Sequence, residues 1–212
     1  MADDPQHDMG TWLNIARYES RRYGFVAGFF KGIQGRMLDV GCYKGGLRNH
    51  LPPYIEYVGA DMVVEAFPGA VRLDLNLPKL PFADASFDAV VCIAVLEHVL
   101  YPGELLTEMA RVVKPQGQAL FSLPNDRGLS SIVSAVFYPV PTYQQQVHGH
   151  HWRFSIASGR AFLEREFVIE REVPHFGPLY QRYLWFLKWR RLCTEMFWLC
   201  RPKTTRSGRS TW

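Results

Sequence analysis

The chain has 212 residues, 48% of them hydrophobic, which is enough to bury the core of one domain. Its formal charge of +4 is unevenly spread, because from residue 182 onward eight Lys or Arg residues accompany a single acid, Glu195. The rest of the chain is mildly acidic, which argues against a nucleic-acid-binding face across the domain.

Cysteines and the first residues indicate the compartment. The four cysteines, at positions 42, 92, 193 and 200, have neither paired metal spacing nor the density of a disulfide framework. They predict a reducing environment and no zinc site. Residues 1–10 are acidic and polar, unlike a signal or transit peptide, and are predicted to be a mobile leader. The sequence therefore predicts a cytoplasmic protein.

The first structured elements lead into a glycine turn. Residues 12–33 have apolar side chains at helical spacing and predict one or two helices. A short apolar strand, Met37–Val40, then carries Asp39 into Gly41, and Gly45 follows as a helix opens. Such a turn presents unpaired backbone N–H groups to a ligand. The spacing matches neither the dinucleotide pattern nor the P-loop, which disfavours a nicotinamide-dependent oxidoreductase.

An acid follows the second predicted strand. Glu56–Ala60 is the strand, and Asp61 and Met62 come directly after it. An acid in this place can accept hydrogen bonds from two ribose hydroxyls of a nucleotide-like ligand. It can equally cap the helix that follows.

A second acid ends the third predicted strand, Val71–Leu75. Asp74 and Leu75 stand at its carboxyl end, where open α/β sheets bind ligands. Because Asn76 and Pro78 follow, Asp74 could instead form an Asx-turn.

The fourth predicted strand is an uninterrupted apolar run within residues 87–95, typical of a central parallel strand buried on both faces. His98 follows it, at the edge where open α/β sheets bind ligands. An imidazole there can take a proton from an acceptor group, since it titrates near neutral pH. It could also only pin the local loop.

Alternating helices and strands continue to residue 173. A helix is predicted over Tyr101–Val113, a Lys-Pro-x-Gly turn after it, and a fifth strand over Gln118–Leu123. Ser155 is predicted to cap a helix that reaches Phe167, and a sixth strand then runs to Val173. No seventh strand is recognisable in the sequence.

The C-terminal segment, residues 182–212, is predicted to be a basic amphipathic tail. Its helical wheel puts Lys188, Arg191 and Glu195 opposite a broad apolar face formed by Trp185, Trp189, Leu192, Cys193, Met196, Phe197 and Cys200. Basic, tryptophan-rich helices are typical of membrane interfaces, so residues 182–201 could contact a membrane peripherally, at its inner face. Packing against the sheet or a dimer contact would explain the same pattern.

Two motifs resemble one known family. Asp39, Gly41, Cys42 and Gly45 match the first motif of class I S-adenosylmethionine (SAM) dependent methyltransferases, although Tyr43 replaces its middle glycine. Residues 80–88 and the Leu-Glu-His of residues 96–98 closely resemble the branch that includes the ubiquinone and menaquinone biosynthesis methyltransferases, called type 11. Tyr43 would be tolerated in the loop at negative φ.

The resemblance implies an α/β fold: a doubly wound, mostly parallel, Rossmann-like sheet with helices on both faces. This would be a single domain over residues 11–181, with a lid insertion at about residues 126–152 over the acceptor pocket. The resemblance implies SAM as cofactor, with Asp74 and Leu75 beside its adenine. The residues implied to bind it are Asp39, Gly41, Cys42, Gly45, Asp61, Met62, Asp74, Leu75 and Ala94. Tyr18, Arg21 and Arg22 on the preceding helix could contact the methionine carboxylate.

Histidines are the candidate catalytic groups. His98 is the first candidate for a base, and His148, His150 and His151 are the second. Three histidines suggest a metal, but no carboxylate or cysteine stands at a supporting spacing near them, so no metal site is expected.

The resulting functional prediction is transfer of a methyl group from SAM to a small-molecule or lipid-like acceptor. No nucleic-acid partner is expected, and the oligomeric state is open. The alternative is a SAM-binding scaffold of the same fold that performs no turnover.

Overall fold

A seven-stranded sheet forms the centre of the computed structural model, which describes residues 20–64, 66–126, 150–176 and 193–203. The strands are β1 (Gly35–Val40), β2 (Ile55–Asp61), β3 (Ala70–Arg72), β4 (Phe87–Ile93), β5 (Val113–Pro124), β6 (Phe167–His175) and β7 (Glu195–Pro202). Their order is β3-β2-β1-β4-β5-β7-β6. Strands β1 to β5 pair in parallel, whereas β7 is antiparallel to both β5 and β6.

Three α-helices accompany these strands in the described ranges: α1 over residues 20–27, α2 (Pro102–Val112) and α3 (Ile156–Leu163). Short 3-10 helices occupy Gly28–Phe30 and Gly46–His50. None of these helices is long and apolar enough to cross a bilayer.

The core lies on both faces of the sheet. Along β1, Leu38 and Val40 pack into one cluster of buried side chains, whereas Met37 packs into the other. Strand β4 divides in the same way, with Val90 on the first side and Val91 on the second. Central parallel strands are covered on both faces, which is why their sequences are apolar without alternation. The predicted doubly wound α/β fold is confirmed.

Local sequence signals place the two later helices. Pro102 occupies the start of α2, where its missing N–H costs nothing, and Leu105, Leu106 and Met109 are buried. Ser155 caps α3, as predicted, because its side chain accepts a hydrogen bond from the backbone N–H of Ser158. Helix α3 ends four residues earlier than predicted.

The predicted C-terminal amphipathic helix is wrong for residues 195–200. These residues belong to β7, which lies inside the sheet between β5 and β6. A strand buried on both faces has a continuous apolar run, and such a short run can be mistaken for one face of a helix. The seventh strand is not recognisable in the sequence for the same reason. Residues 182–192 of the predicted tail lie outside the described ranges.

Smaller differences concern β3 and β5. Strand β3 has three residues and ends before Asp74. Strand β5 already begins at Val113, which pairs with Phe87, and the register then shifts so that Ala89 pairs with Gln118. The predicted Lys-Pro-x-Gly turn is therefore an irregularity within the strand.

Candidate active site

The loop after β1 contains two positions, 41 and 45, that favour glycine over any other residue. Gly41 has φ +78°, and a Cβ there would overlap the side chain of Val95. Gly45 has φ +66°, and a Cβ there would stand 2.7 Å from the ring of Phe67. Left-handed backbone and close packing together explain both glycines. The loop thereby stays narrow at the carboxyl end of the sheet.

Tyr43 also has left-handed backbone, with φ +47°. The negative φ at which Tyr43 would be tolerated is therefore not the conformation that it adopts. Its N–H donates a 2.8 Å hydrogen bond to Oδ2 of Asp61, which helps to hold the strained backbone. The tyrosine side chain is 52% exposed and does not fill the loop.

Asp61 is fixed at the end of β2. Its Oδ2 accepts from Tyr43 and its Oδ1 accepts from the N–H of Val63 at 2.9 Å. Each carboxylate oxygen has a further lone pair, so the same group can also accept from ribose hydroxyls. Met62 is exposed beside it, and its carbonyl accepts from Nε of Arg72 at 3.2 Å.

Asp74 forms the Asx-turn that its sequence context allowed. Its Oδ1 accepts from the backbone N–H of Asn76 at 2.9 Å and from the side-chain amide at 3.0 Å. The carbonyl oxygen of the same amide accepts from the N–H of Leu100 at 2.7 Å, which joins this loop to the one after β4. Leu75 is partly buried against the core. A role of Asp74 and Leu75 in adenine binding remains a prediction.

A small cavity of about 50 Å³ lies beneath the glycine loop. Asp39, Gly41, Cys42 and Ile93 line it, together with Arg22, Tyr23, Val26 and Leu47. Asp39 is buried and accepts a 2.6 Å hydrogen bond from the hydroxyl of Tyr57, and burial raises its pKa to about 6. Burial also raises the pKa of the Cys42 thiol to about 12, which disfavours its reactive thiolate form.

Arg22 enters this cavity from α1. Its Nη2 forms a 2.5 Å ion pair with Oε1 of Glu195, the first residue of β7. Its Nε is buried and has no hydrogen-bond partner within the described part of the chain. A buried guanidinium N–H without a partner is costly, and an anionic group of a ligand would satisfy it. Arg21 is exposed, and Tyr18 lies outside the described ranges.

Sequence reasoning missed Glu195 and Ser122. Ser122 is buried in β5; its hydroxyl donates to Oε1 of Glu195 at 2.5 Å and accepts from the N–H of Ala94 at 3.0 Å. Ala94 follows β4 directly and has φ +54°. One signal could have identified Glu195, because it is a lone acid at the start of a strongly apolar run.

Two of the predicted catalytic histidines meet at the end of β4. The rings of His98 and His150 are 4.5 Å apart, edge to face. Nε2 of His98 is 4.0 Å from Oε1 of Glu97, a buried carboxylate whose Oε2 has no hydrogen-bond partner in the described ranges. The N–H of His151 donates to the carbonyl of Glu97, and its side chain is exposed. His148 lies outside the described ranges.

Burial raises the pKa of Glu97 to about 7. The carboxyl group can therefore change its ionisation near neutral pH beside His98. The ligand atoms of Glu97, His98 and His150 lie within 4.8 Å of one another, a grouping that could hold a metal ion. The expectation of no metal site rested on spacing within the sequence, whereas the fold brings Glu97 and His98 beside His150.

These groups fit SAM. The partnerless Nε of Arg22 and the narrow glycine loop suit the amino-acid end of the cofactor, and the fixed Asp61 carboxylate suits its ribose. The exposed turn at Asp74 and Leu75 lies further along the same sheet edge.

Comparison with known proteins agrees with this fit. The sequence profile of a family described as "Methyltransferase domain" matches residues 38–121. Among solved structures, a SAM dependent methyltransferase from Archaeoglobus fulgidus superimposes with a TM-score of 0.62. The match covers 87% of this chain and 93% of that one, at 17% sequence identity. At this identity the likeness shows the fold.

Relatives are found among the ubiquinone biosynthesis O-methyltransferases. The protein of that name from Alkalilimnicola ehrlichii is 32% identical over 182 residues, covering 76% of this chain and 73% of the relative. That from Klebsiella pneumoniae is 30% identical over 141 residues, covering 60% of this chain but only 58% of the relative. The chain belongs to the class I SAM-dependent methyltransferases, and its cofactor is SAM.

Proposed function

We propose that the protein transfers the methyl group of SAM to a hydroxyl group of a small, lipid-like acceptor, with His98 as the base. The observation that carries this proposal is the cluster formed by His98, His150 and the buried Glu97. Glu97 and His98 lie in the loop after β4, close to Ala94. The names of the relatives support an oxygen acceptor.

Bound SAM would supply an electrophilic methyl group on a sulfonium. The task of the protein is then alignment and removal of one proton, and alignment of donor and acceptor can contribute ~7–11 kcal/mol. In this proposal Arg22 holds the amino-acid end of the cofactor, Asp61 holds its ribose, and the backbone at Ala94 forms the wall beside the reacting group.

His98 would accept the proton of the acceptor hydroxyl. Its ring is partly exposed, so a substrate can reach it, while the Glu97 carboxylate lies beneath it at 4.0 Å. An ionised Glu97 would stabilise the imidazolium that forms. Because the pKa of Glu97 is about 7, that stabilisation is present above this pH and absent below it.

A labelled-methyl screen tests the reaction. The protein is incubated with methyl-labelled SAM and a cell extract, which is then partitioned between water and organic solvent. We expect label in the organic phase, and we expect Asp61→Ala, with its cofactor site disabled, to give none. Label confined to the aqueous phase would contradict a lipid-like acceptor. No label in any fraction, despite SAM binding, would favour the non-catalytic scaffold.

We also propose that the basic segment of residues 182–192 contacts an anionic membrane. Its sequence contains Arg182, Lys188, Arg190 and Arg191 beside Trp185 and Trp189. Basic residues near an anionic leaflet contribute ~1 kcal/mol each. Since β7 begins at Glu195, the proposed contact ends before the sheet.

A further inference from the structure

One carboxylate oxygen joins three separate parts of the fold. Oε1 of Glu195 accepts from Nη2 of Arg22 on α1 and from the hydroxyl of Ser122 on β5, each at 2.5 Å. Glu195 is only 8% exposed, so water does not screen these bonds strongly. Its other oxygen, Oε2, lies 3.7 Å from Nδ1 of His175 on β6. Charge-assisted hydrogen bonds of this kind are strong and directional.

The second of these bonds reaches the backbone after β4. The Ser122 hydroxyl that donates to Glu195 also accepts a hydrogen bond from the N–H of Ala94. Glu97 and His98 follow Ala94 shortly afterwards in the chain. Ala94 has left-handed backbone, which is unfavourable for alanine and must be held by its surroundings. Because the hydroxyl proton is committed to Glu195, the Ser122 oxygen is oriented to receive the Ala94 N–H.

Both branches end at the small cavity under the glycine loop. Arg22 lines that cavity directly, together with Asp39 and Gly41, and so does Ile93, the residue before Ala94. Glu195 does not line the cavity itself. It contacts one lining residue, Arg22, directly, and it reaches a second, Ile93, through Ser122 and the peptide between Ile93 and Ala94.

We propose that Glu195 is a positioning residue for SAM binding, which fixes the guanidinium of Arg22 and, through Ser122, the peptide of Ala94. The proposal rests on the cofactor assignment within the proposed function and is independent of the acceptor. Arg22 binds Glu195 through Nη2, so its Nε is left to donate a hydrogen bond to an anionic group of the cofactor. In the competing explanation, Glu195 only neutralises the charge of Arg22, so that it stabilises the fold and has no effect on SAM binding.

Isothermal titration with SAM and with its demethylated product, S-adenosylhomocysteine, separates these explanations. We expect Glu195→Gln and Ser122→Ala each to weaken the affinity for both ligands about tenfold, the effect of losing about one charge-assisted hydrogen bond. We expect the double variant to be weakened about tenfold as well, since both residues act through one network.

Glu172→Gln is the matched control. Glu172 also forms a 2.5 Å ion pair with an arginine, Arg160, and accepts from the indole of Trp198, so it ties β7 to its neighbours away from the cavity. We expect this variant to lose a similar amount of thermal stability and to bind SAM within twofold of the parent protein.

Unchanged SAM affinity in folded Glu195→Gln would overturn the proposal, as would equal weakening in Glu172→Gln. If the serine variant does not fold, Glu195→Gln alone decides. Titration of the parent protein with SAM separates a failure of the proposed function from a failure of this inference. A parent that binds SAM but methylates no extract removes the proposed acceptor and leaves this inference testable, whereas a parent that does not bind SAM removes both.

Discussion

Replacing Glu97 by glutamine should change how the stability of the protein depends on pH. Burial raises the pKa of this carboxyl group from its usual 4.5 to about 7 in the folded protein. Below pH 4.5 the group is protonated in both the folded and the unfolded chain, so its contribution to stability is fully present there. As the pH rises through about 7 that contribution is lost, because the folded protein resists an ionisation that the unfolded chain permits.

The magnitude follows from the two pKa values. Each pH unit between them corresponds to about 1.4 kcal/mol, so the parent protein should lose roughly 3 kcal/mol relative to Glu97→Gln between pH 4 and pH 8. Arg22, Asp126 and Glu195 also act on the pKa of Glu97 and remain in both proteins, as do the other titrating groups. The difference between the two proteins therefore isolates residue 97.

Urea unfolding of both proteins at several pH values between 4 and 8 measures this difference. Glu108→Gln is a control of opposite sign: burial acts to raise its pKa, but hydrogen bonds from Arg111 lower it below 4.5 overall. Its contribution to stability is present above that pH and lost as the pH falls. The free energy of unfolding of Glu108→Gln should therefore fall furthest below that of the parent at neutral pH. A pH-independent difference between Glu97→Gln and the parent would refute the argument that Glu97 is buried and protonated.

Three further outcomes are expected. Tyr43→Gly relieves the strain of left-handed backbone and keeps the N–H that donates a hydrogen bond to Asp61. The SAM affinity measured by titration should therefore stay within about threefold of the parent's. A tenfold loss would show that the tyrosine ring binds the cofactor. His98→Gln should lower kcat at least a hundredfold while leaving SAM affinity unchanged, and residual activity near the parent's would remove it as the base. Replacing Lys188, Arg190 and Arg191 by alanine should reduce flotation with anionic vesicles, whereas neutral vesicles should recover neither protein; equal recovery of both proteins on anionic vesicles would contradict membrane contact.

The flotation experiment needs substitutions in place of a truncation. Cutting the chain before residue 195 would remove β7, the strand that pairs with both β5 and β6. Any loss of vesicle binding would then report damage to the sheet.

The parallel half of the fold could be predicted because its signals are local. Apolar runs, glycine turns and the acids at strand ends recur along residues 36–125, and each motif follows its strand directly. Parallel strands bring those ends to one edge, and the family resemblance then predicts that Gly41, Asp61 and Asp74 bind one ligand.

The missed features depend on contacts between distant residues. The fold brings Glu97 close to His150, and it pairs Glu195 with Arg22 across 173 positions. The backbone of Tyr43 could not be anticipated either, because its φ is held by the carboxylate of Asp61 from the next strand. No spacing rule within one segment contains this information.

The position of β7 between β5 and β6 has a consequence for biosynthesis. Strand β6 leaves the ribosome first, yet its only partner in the described sheet is β7, which follows nineteen residues after β6 ends. Until that strand emerges, β5 has an open edge and β6 has no place in the sheet. Because Glu195 arrives with the same strand, the proposed support of Arg22 and Ala94 would form only once β7 has joined the sheet.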